Sequence, residues 1–279
     1  MIQFRPGTFL LLSLLVAAHA TAGPIKNSFH FGHVRFEPVD VLAYQTEVSG
    51  EKAPVTIAVL TSFKIDRTAV MAAINPDNAL YAQAENDKGN VVWIWFLSPD
   101  RCNVKAFLAA GDRPQNIDFG SFPAKTPSST GSHIAGECFT QKPGKIFDDD
   151  YEFRLAYDTP ITAIVKPTTL PAGGGEPGAQ YLALVKAIQA ADWDVAHHHV
   201  REGELPETRK KVAESNYFEN LSMNYPKSAT VTGGLMKGDR AHLDIRGTHH
   251  DGHKIEGVVA LKKVGNDWRV VDQQFYGTK

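Results

Sequence analysis

A segment rich in proline and glycine, residues 167–178, divides this chain into two parts with different sequence patterns. The segment has no hydrophobic periodicity, and proline and glycine both interrupt regular structure, so it is predicted to be an interdomain linker. A length of 279 residues also suits two domains better than one, because domains cluster at about 100–150 residues. The predicted domains are residues 23–166 and residues 179–279.

The first 22 residues have the pattern of a cleaved secretory signal peptide. Arg5 precedes an apolar run over residues 9–18, and alanines at 18, 20 and 22 form two overlapping small-x-small cleavage sites. Signal peptides have apolar cores of roughly 7–15 residues, whereas a membrane-spanning helix needs about 20. We therefore expect a periplasmic or secreted protein that is not integral to a membrane.

Cys102 and Cys138 are the two cysteines of the sequence. In an oxidising compartment an even pair favours a disulfide, and a reactive thiol is the alternative. The spacing is neither that of a CxxC redox motif nor that of a zinc site. A disulfide here would close a loop that the chain-entropy model values at roughly 3–4 kcal/mol.

Strand patterns dominate the part before the linker. Residues 55–60 and 91–96 are runs of β-branched and aromatic residues, and residues 151–157 alternate between apolar and polar. One short helix is predicted between them, with Asp66 as its N-cap. This pattern predicts a β-rich, sandwich-like N-terminal domain.

Helices come first and strands follow in the part after the linker. Apolar residues recur at helical spacing over 181–188, Asp192 can cap a second helix, and a third is predicted from Leu205. Alternating strands separated by glycine-containing turns then fill residues 229–276. The order predicts an α+β layout in which one curved antiparallel sheet wraps around the first helix.

Two stretches of this C-terminal part form a familiar pattern. The helix 181–190 is followed by Asp-Trp-Asp at 192–194, and the chain ends with Gly-Asp-x-Ala at 238–241, Leu-x-Lys at 261–263 and Trp-x-Val-x-Asp at 268–272. In these features the last hundred residues resemble the nuclear-transport-factor-2-like superfamily, also called cystatin-like or SnoaL-like. The resemblance implies a cone-type α+β domain with a pocket at its open end, and a homodimer formed through the sheet face. Its members include isomerases, cyclases, dehydratases and non-catalytic binding modules.

His197, Tyr217 and Trp268 are the candidate ligand-binding residues of that pocket. His197 is the inward candidate among residues 197–199, because it follows Trp193 by four residues and consecutive helix positions point about 100° apart. Ordinary packing inside the domain is the alternative for all three side chains.

His249, His250 and His253 suggest a metal site at a turn. A two-residue hairpin at Asp251-Gly252 would place His250 opposite His253, with β-carbons about 5 Å apart, so two imidazoles could hold zinc or copper. A zinc site needs three or four protein ligands, and no further ligand is evident. Surface histidines are therefore the favoured interpretation, and no metal or other cofactor is expected.

Charge and motifs narrow the functional classes. The net charge of −2 and the pI near 6.6 lack the basic excess of a nucleic-acid-binding protein. The sequence has no Gly-x-Ser-x-Gly elbow, no His-Glu-x-x-His motif and no phosphate loop, which disfavours hydrolase, metalloprotease and nucleotide chemistry.

The favoured hypothesis is an exported, non-catalytic binding protein with a protein partner, such as a periplasmic inhibitor or an immunity-type protector. The alternative is a protein that binds a small hydrophobic ligand, or a lyase or isomerase-type enzyme, using the C-terminal pocket. The absence of a recognisable catalytic constellation favours the first, because fold resemblance alone does not establish an activity.

Overall fold

Strands dominate the described part of the chain. The computed structural model describes residues 27–47, 54–109, 114–197 and 217–278, of which 55% lie in strands and 19% in helices. The predicted α+β class with a cone-type C-terminal domain is therefore wrong. The structure is a β-rich fold of two large, mainly antiparallel sheets, because the strands are long and only two described helices exceed seven residues.

Ten strands form one sheet in the N-terminal half. They are β1 (Ser28–Phe31), β2 (Val34–Phe36), β3 (Asp40–Thr46), β4 (Val55–Thr61), β5 (Asn90–Ser98), β6 (Arg101–Leu108), β7 (Gln115–Thr130), β8 (His133–Phe139), β9 (Gly144–Ile146) and β10 (Asp149–Thr162). Strands β3 to β8 pair in chain order. Strand β10 pairs antiparallel with β8 and parallel with β3, so the series closes into a ring instead of the two separate sheets of a sandwich.

The closed sheet has a hydrophobic core on each face, because successive side chains of a strand point to opposite sides. The first core includes Phe29, Ala43, Leu60, Ile94, Val104 and Leu155. The second core includes Leu42, Ile57, Val59, Val70, Leu80 and Trp93. Cys102 and Cys138 form a disulfide in the first core, with Cα atoms 6.3 Å apart, which confirms the predicted pairing.

Two helices, α1 (Arg67–Ala72) and α2 (Pro76–Asp87), cover the second core. Asp66 caps α1 as predicted, and its side chain accepts the Ala69 N–H at 3.0 Å. The carboxylate of Asp77 in the first turn of α2 accepts hydrogen bonds from the Tyr44 hydroxyl and from Trp93 Nε1. These bonds attach α2 to strands β3 and β5.

Five antiparallel strands form the C-terminal sheet in chain order. They are β11 (Thr168–Leu170), β12 (Ser228–Lys237), β13 (Arg240–Thr248), β14 (Lys254–Val264) and β15 (Asp267–Gly277). The described helices of this half are α3 (Gly175–Gln189), α4 (Trp193–Ala196) and α5 (Tyr217–Met223). The apolar side of α3 packs against one sheet face, where Tyr181 and Leu184 share a core with Leu243 and Val259. The helix predicted from Leu205 lies outside the described residues.

The segment predicted as a linker has regular secondary structure at both ends. Strand β11 pairs with β12, and α3 begins at Gly175. Between them Gly173, Gly174 and Gly175 have φ angles of 89°, 68° and 60°, a left-handed conformation that glycine adopts without strain. The glycines therefore form a defined turn into α3. Among the described helices, none combines the length and apolar character needed to cross a membrane.

Candidate functional site

The three residues predicted to line a pocket have different environments. Trp268 is 2% exposed and lies in the core beneath α3, as the alternative of ordinary packing predicts for it. His197 is half-buried, and its Nδ1 lies 2.8 Å from the Trp193 carbonyl oxygen one turn earlier. Tyr217 begins α5, and its side chain lies outside the described residues. A ligand-binding role for the three stays a prediction.

The turn that carries the predicted histidine pair is wider than two residues. Strand β13 ends at Thr248 and β14 begins at Lys254, and the His249 N–H donates to the His253 carbonyl oxygen at 2.9 Å. His249 and His253 therefore face each other across the turn. Within the described ranges, no group of three potential ligands is close enough to hold a metal ion.

The imidazoles of this turn instead contact helix ends. Nε2 of His249 lies 3.2 Å from the carbonyl oxygen of Met223, the last residue of α5, and its Nδ1 lies 3.3 Å from the Asp251 carboxylate. Nε2 of His250 lies 3.3 Å from the Gln189 amide at the end of α3. These contacts hold the turn against the C-terminal ends of two helices.

A different site lies between the two halves of the chain. A cleft of about 590 Å³ separates α1 and α2 from the C-terminal sheet. Its sheet side is built by alternate residues of β13, β14 and β15, and on β13 and β14 the neighbours of these residues in sequence fill the core beneath α3. The sheet residues that line it are Arg240, His242, Val258, Ala260, Asp272 and Gln274.

At the floor of the cleft, the small residue Ala260 lies between the titratable residues His242 and Asp272. Cross-strand pairing places His242 beside Ala260, and Ala260 beside Asp272. Neighbouring strands lie about 4.8 Å apart, so His242 and Asp272 are separated by about 10 Å at their Cα atoms. Because the methyl group of Ala260 cannot fill that interval, a depression remains between the imidazole and the carboxylate.

Arg240 brings an incompletely satisfied cation to the cleft. Its Nε atom is buried and has no hydrogen-bond partner among the described residues. A buried N–H without a partner costs roughly 1–3 kcal/mol, and more when the group is charged. A guanidinium pairs most strongly with a carboxylate or a phosphate, so this edge of the cleft favours an anionic group.

His242 supplies an uncharged imidazole beside that cation. Burial lowers its pKa, and Arg240 lowers it further, whereas Asp244 and Asp272 act in the opposite direction. The net shift takes the pKa below the ordinary value near 6.5, so the ring is neutral at pH 7 and offers one donor and one acceptor. Gln274 donates to the Asp272 carboxylate at 3.3 Å and holds it at the far edge of the cleft.

The opposite wall comes from the N-terminal half. Asn75 and Asn78 line it together with the small side chains of Ala79 and Ala82. The Asn75 side-chain oxygen accepts the Asp77 N–H at 2.9 Å and caps α2, which fixes the start of this wall. Next to the cleft, the buried Nζ of Lys237 donates to the Ala73 carbonyl oxygen at 2.8 Å and joins the two halves.

None of the cleft residues was predicted as a site residue. Arg240 and Asp272 belong to the two alternating strand motifs, where their positions predict only a polar outer face. The wall that turns this face into a cleft comes from helices more than 150 residues away in the sequence. Local patterns carry no signal for such a pairing.

Comparison with protein-family models, with curated proteins and with solved structures finds no match to this chain. The resemblance of the last hundred residues to the nuclear-transport-factor-2-like superfamily therefore stays a prediction.

Proposed function

We propose that this chain is an exported binding protein that holds a small polar ligand in the cleft between its two halves. The observation that carries the proposal is the cleft itself, in which Arg240, which forms no ion pair among the described residues, lies across a small uncharged floor from Asp272. A ligand anion in the cleft would pair with that guanidinium.

The size and position of the cleft support the same proposal. Small-molecule sites are typically concavities of about 300–1,000 Å³ and often lie between domains, with a few convergent polar groups that orient the ligand. This cleft has about 590 Å³, and its polar groups come from both halves. A bound ligand would therefore contact both halves at once.

The proposal includes export, which sets the compartment in which the protein would bind its ligand. The predicted signal peptide lies outside the described residues, so the support comes from the Cys102–Cys138 disulfide. Disulfides persist in secreted and periplasmic proteins and are rare in the cytosol. A binding protein in that location meets its ligand outside the cytoplasmic membrane.

Ligand-observed NMR on the mature chain tests the proposal with a panel of carboxylates, phosphates, sugars and amino acids. We expect at least one charged compound to bind the wild type and to bind Arg240→Met at least tenfold more weakly. Arg246→Met is the matched control, because Arg246 lies on the same strand but pairs with Glu256 at 2.9 Å, outside the cleft. A wild type that binds no compound of the panel would contradict the proposal.

A protein partner is the second candidate function, and the long edge strand β15 favours it. In the described part of the chain, β15 is the last strand of its sheet, it spans eleven residues, and Tyr276 near its end is 60% exposed. Edge strands offer unpaired backbone groups to other chains.

Affinity capture with the tagged mature chain from periplasmic and secreted fractions tests this second candidate. A stoichiometric partner retained by the wild type and by Val165→Lys, but lost by Tyr276→Lys, would support it. Val165 is the control because it is exposed in the other half of the chain. Equal capture by both variants would exclude the β15 edge as the interface.

A further inference from the structure

We infer that the ligand of the cleft is a zwitterion whose carboxylate faces Arg240 and whose ammonium group faces Asp272. This inference rests on the proposed function and names the chemical class of its ligand. A dipeptide and a medium-length ω-amino acid both carry their two charges at opposite ends of a short chain.

Opposite charges lie on the two sides of an uncharged floor. Arg240 is on β13 and Asp272 is on β15, and the strand between them presents only Val258 and Ala260 to the cleft. Neither Arg240 nor Asp272 forms an ion pair within the described residues. Each charge is therefore available to a ligand group of the opposite sign.

The strand register sets the spacing of the two charged residues. Arg240 pairs with Lys262, and Asp272 pairs with Ala260, so the two charged residues are two strands apart and offset by two residues along the sheet. With about 4.8 Å between strands and about 3.3 Å per residue, their Cα atoms lie about 12 Å apart. Because the two side chains rise from positions two strands apart, a ligand with its charges at the two ends of a chain suits them better than one with both charges on a single carbon.

The groups around the charges match the rest of such a ligand. The neutral imidazole of His242 has an acceptor for an ammonium N–H, because burial keeps the ring unprotonated. The side chains of Asn78 and Gln274 offer amide donors and acceptors that suit a peptide bond, while Val258 and Ala260 form an apolar floor for methylene groups. A simple anion would leave Asp272 facing it across the cleft, which is unfavourable.

Calorimetric titration of the mature chain tests the charge pattern with five probes. These are glycylglycine, 6-aminohexanoate, glycine, hexanoate and hexylamine. We expect glycylglycine and 6-aminohexanoate to bind at least tenfold more tightly than the single-charge probes and than glycine, whose charges are too close together. Preference for glycylglycine over 6-aminohexanoate would identify a peptide, and the reverse preference an ω-amino acid.

Variants at two positions test the two ends of the ligand separately. Asp272→Asn is expected to weaken zwitterion binding at least tenfold and to strengthen hexanoate binding, because it removes the carboxylate that faces the anion. Arg240→Met is expected to weaken both, and Arg240→Lys keeps the charge and is expected to lose less. Arg246→Met and Glu256→Gln serve as controls, and matching melting temperatures verify that every variant is folded.

The outcomes distinguish this inference from the proposed function. Hexanoate binding as tight as that of the zwitterions, with no effect of Asp272→Asn, would overturn the zwitterion and leave an anion-binding cleft. Binding of none of these probes, while another compound of the wider panel binds in an Arg240-dependent way, would also overturn only this inference. Absence of any binding would overturn both.

Discussion

The two sheets of this protein differ in how many of their faces are covered by the chain itself. The N-terminal sheet closes into a ring, with one core on its first face and α1 and α2 over part of the second. The C-terminal sheet is open, and α3 covers one face. A sheet face that no core occupies can carry polar side chains, and the cleft lies on such a face.

Two charged residues show the same contrast at atomic scale. Asp40 in the N-terminal half is 8% exposed, and its carboxylate accepts two hydrogen bonds from Arg67, at 2.7 and 2.9 Å, and one from the Ile65 N–H at 3.1 Å. Arg240 in the C-terminal half has a buried Nε without a partner among the described residues. The first arrangement is complete within the chain and stabilises it, whereas the second is not completed by the described residues.

Removal of the disulfide should have the largest effect and should be confined to one half. Cys102→Ala combined with Cys138→Ala is expected to lower the free energy of unfolding by about 3–4 kcal/mol, because the unfolded chain regains the entropy of the closed loop. Hydrogen exchange should show lost protection in β6 to β8 and unchanged protection in β13 and β14. Equal losses in both sheets would mean that the halves unfold as one unit.

Asp40→Asn tests the complete ion cluster and should cost about 2–3 kcal/mol at pH 7, since it leaves Arg67 without its carboxylate. Burial alone raises the pKa of Asp40, but hydrogen bonds from Arg67, Ile65 and Lys64 outweigh it and hold the pKa well below its ordinary range.

The sign of the pH dependence follows from that lowered pKa. The stabilisation is present above the ordinary aspartate pKa near 4 and is lost as pH falls below it. The free energy of unfolding, measured with urea between pH 6 and pH 2, should therefore change less with pH for Asp40→Asn than for the wild type. The control Glu47→Gln alters an exposed pair with Lys166 and should change stability by less than about 0.5 kcal/mol. Parallel pH profiles for wild type and Asp40→Asn would refute the assignment.

Gly174→Ala tests the turn into α3 and should cost about 2 kcal/mol, confined to the C-terminal half. A φ of 68° strains any residue with a β-carbon, and an added methyl group would lie 2.8 Å from Val231 and 3.0 Å from Leu243. Gly173→Ala is the matched control, because its φ is also positive but the space around it is open. Similar losses for both variants would attribute the cost to backbone conformation alone, and no loss for either would contradict the defined turn.

Lys237→Met should have the smallest effect on stability, within about 1 kcal/mol, because it removes one hydrogen bond, from Nζ to Ala73. Since this bond joins the halves, we expect calorimetry to show the thermal transitions of the two halves further apart in the variant than in the wild type. A calorimetric profile identical to that of the wild type would show that the coupling lies elsewhere.

Local sequence patterns predicted much of the strand content. The runs at 55–60, 91–96 and 151–157 coincide with β4, β5 and β10, because runs of β-branched and aromatic residues and an alternation of period two are both visible within a few residues. Helix α2 was missed, since only Leu80 and Ala84 of its twelve residues are buried and they give no apolar stripe. Its attachment depends on Asp77, which bonds to side chains of two distant strands.

Relations between distant elements were not predictable in this way. The cone-type domain was expected from motif order alone, and motif order does not determine how much of a sheet the helices cover. The cleft combines Arg240 and Asp272 from one sheet face with Asn78 from a helix of the other half. Each residue by itself is an ordinary polar surface residue, so the site exists only in the folded arrangement.

Closure of the N-terminal ring has a consequence for the order of folding. The parallel pairing of Ile161 with Ala43 joins residues more than a hundred positions apart, whereas β3–β4, β5–β6 and β7–β8 pair strands that follow each other directly in the chain. Closing so long a loop costs about 2 kcal/mol more chain entropy than closing one of ten residues. We therefore expect the hairpins to form early and the pairing of β10 with β3 to be the slow step, because it joins the two open edges of the sheet.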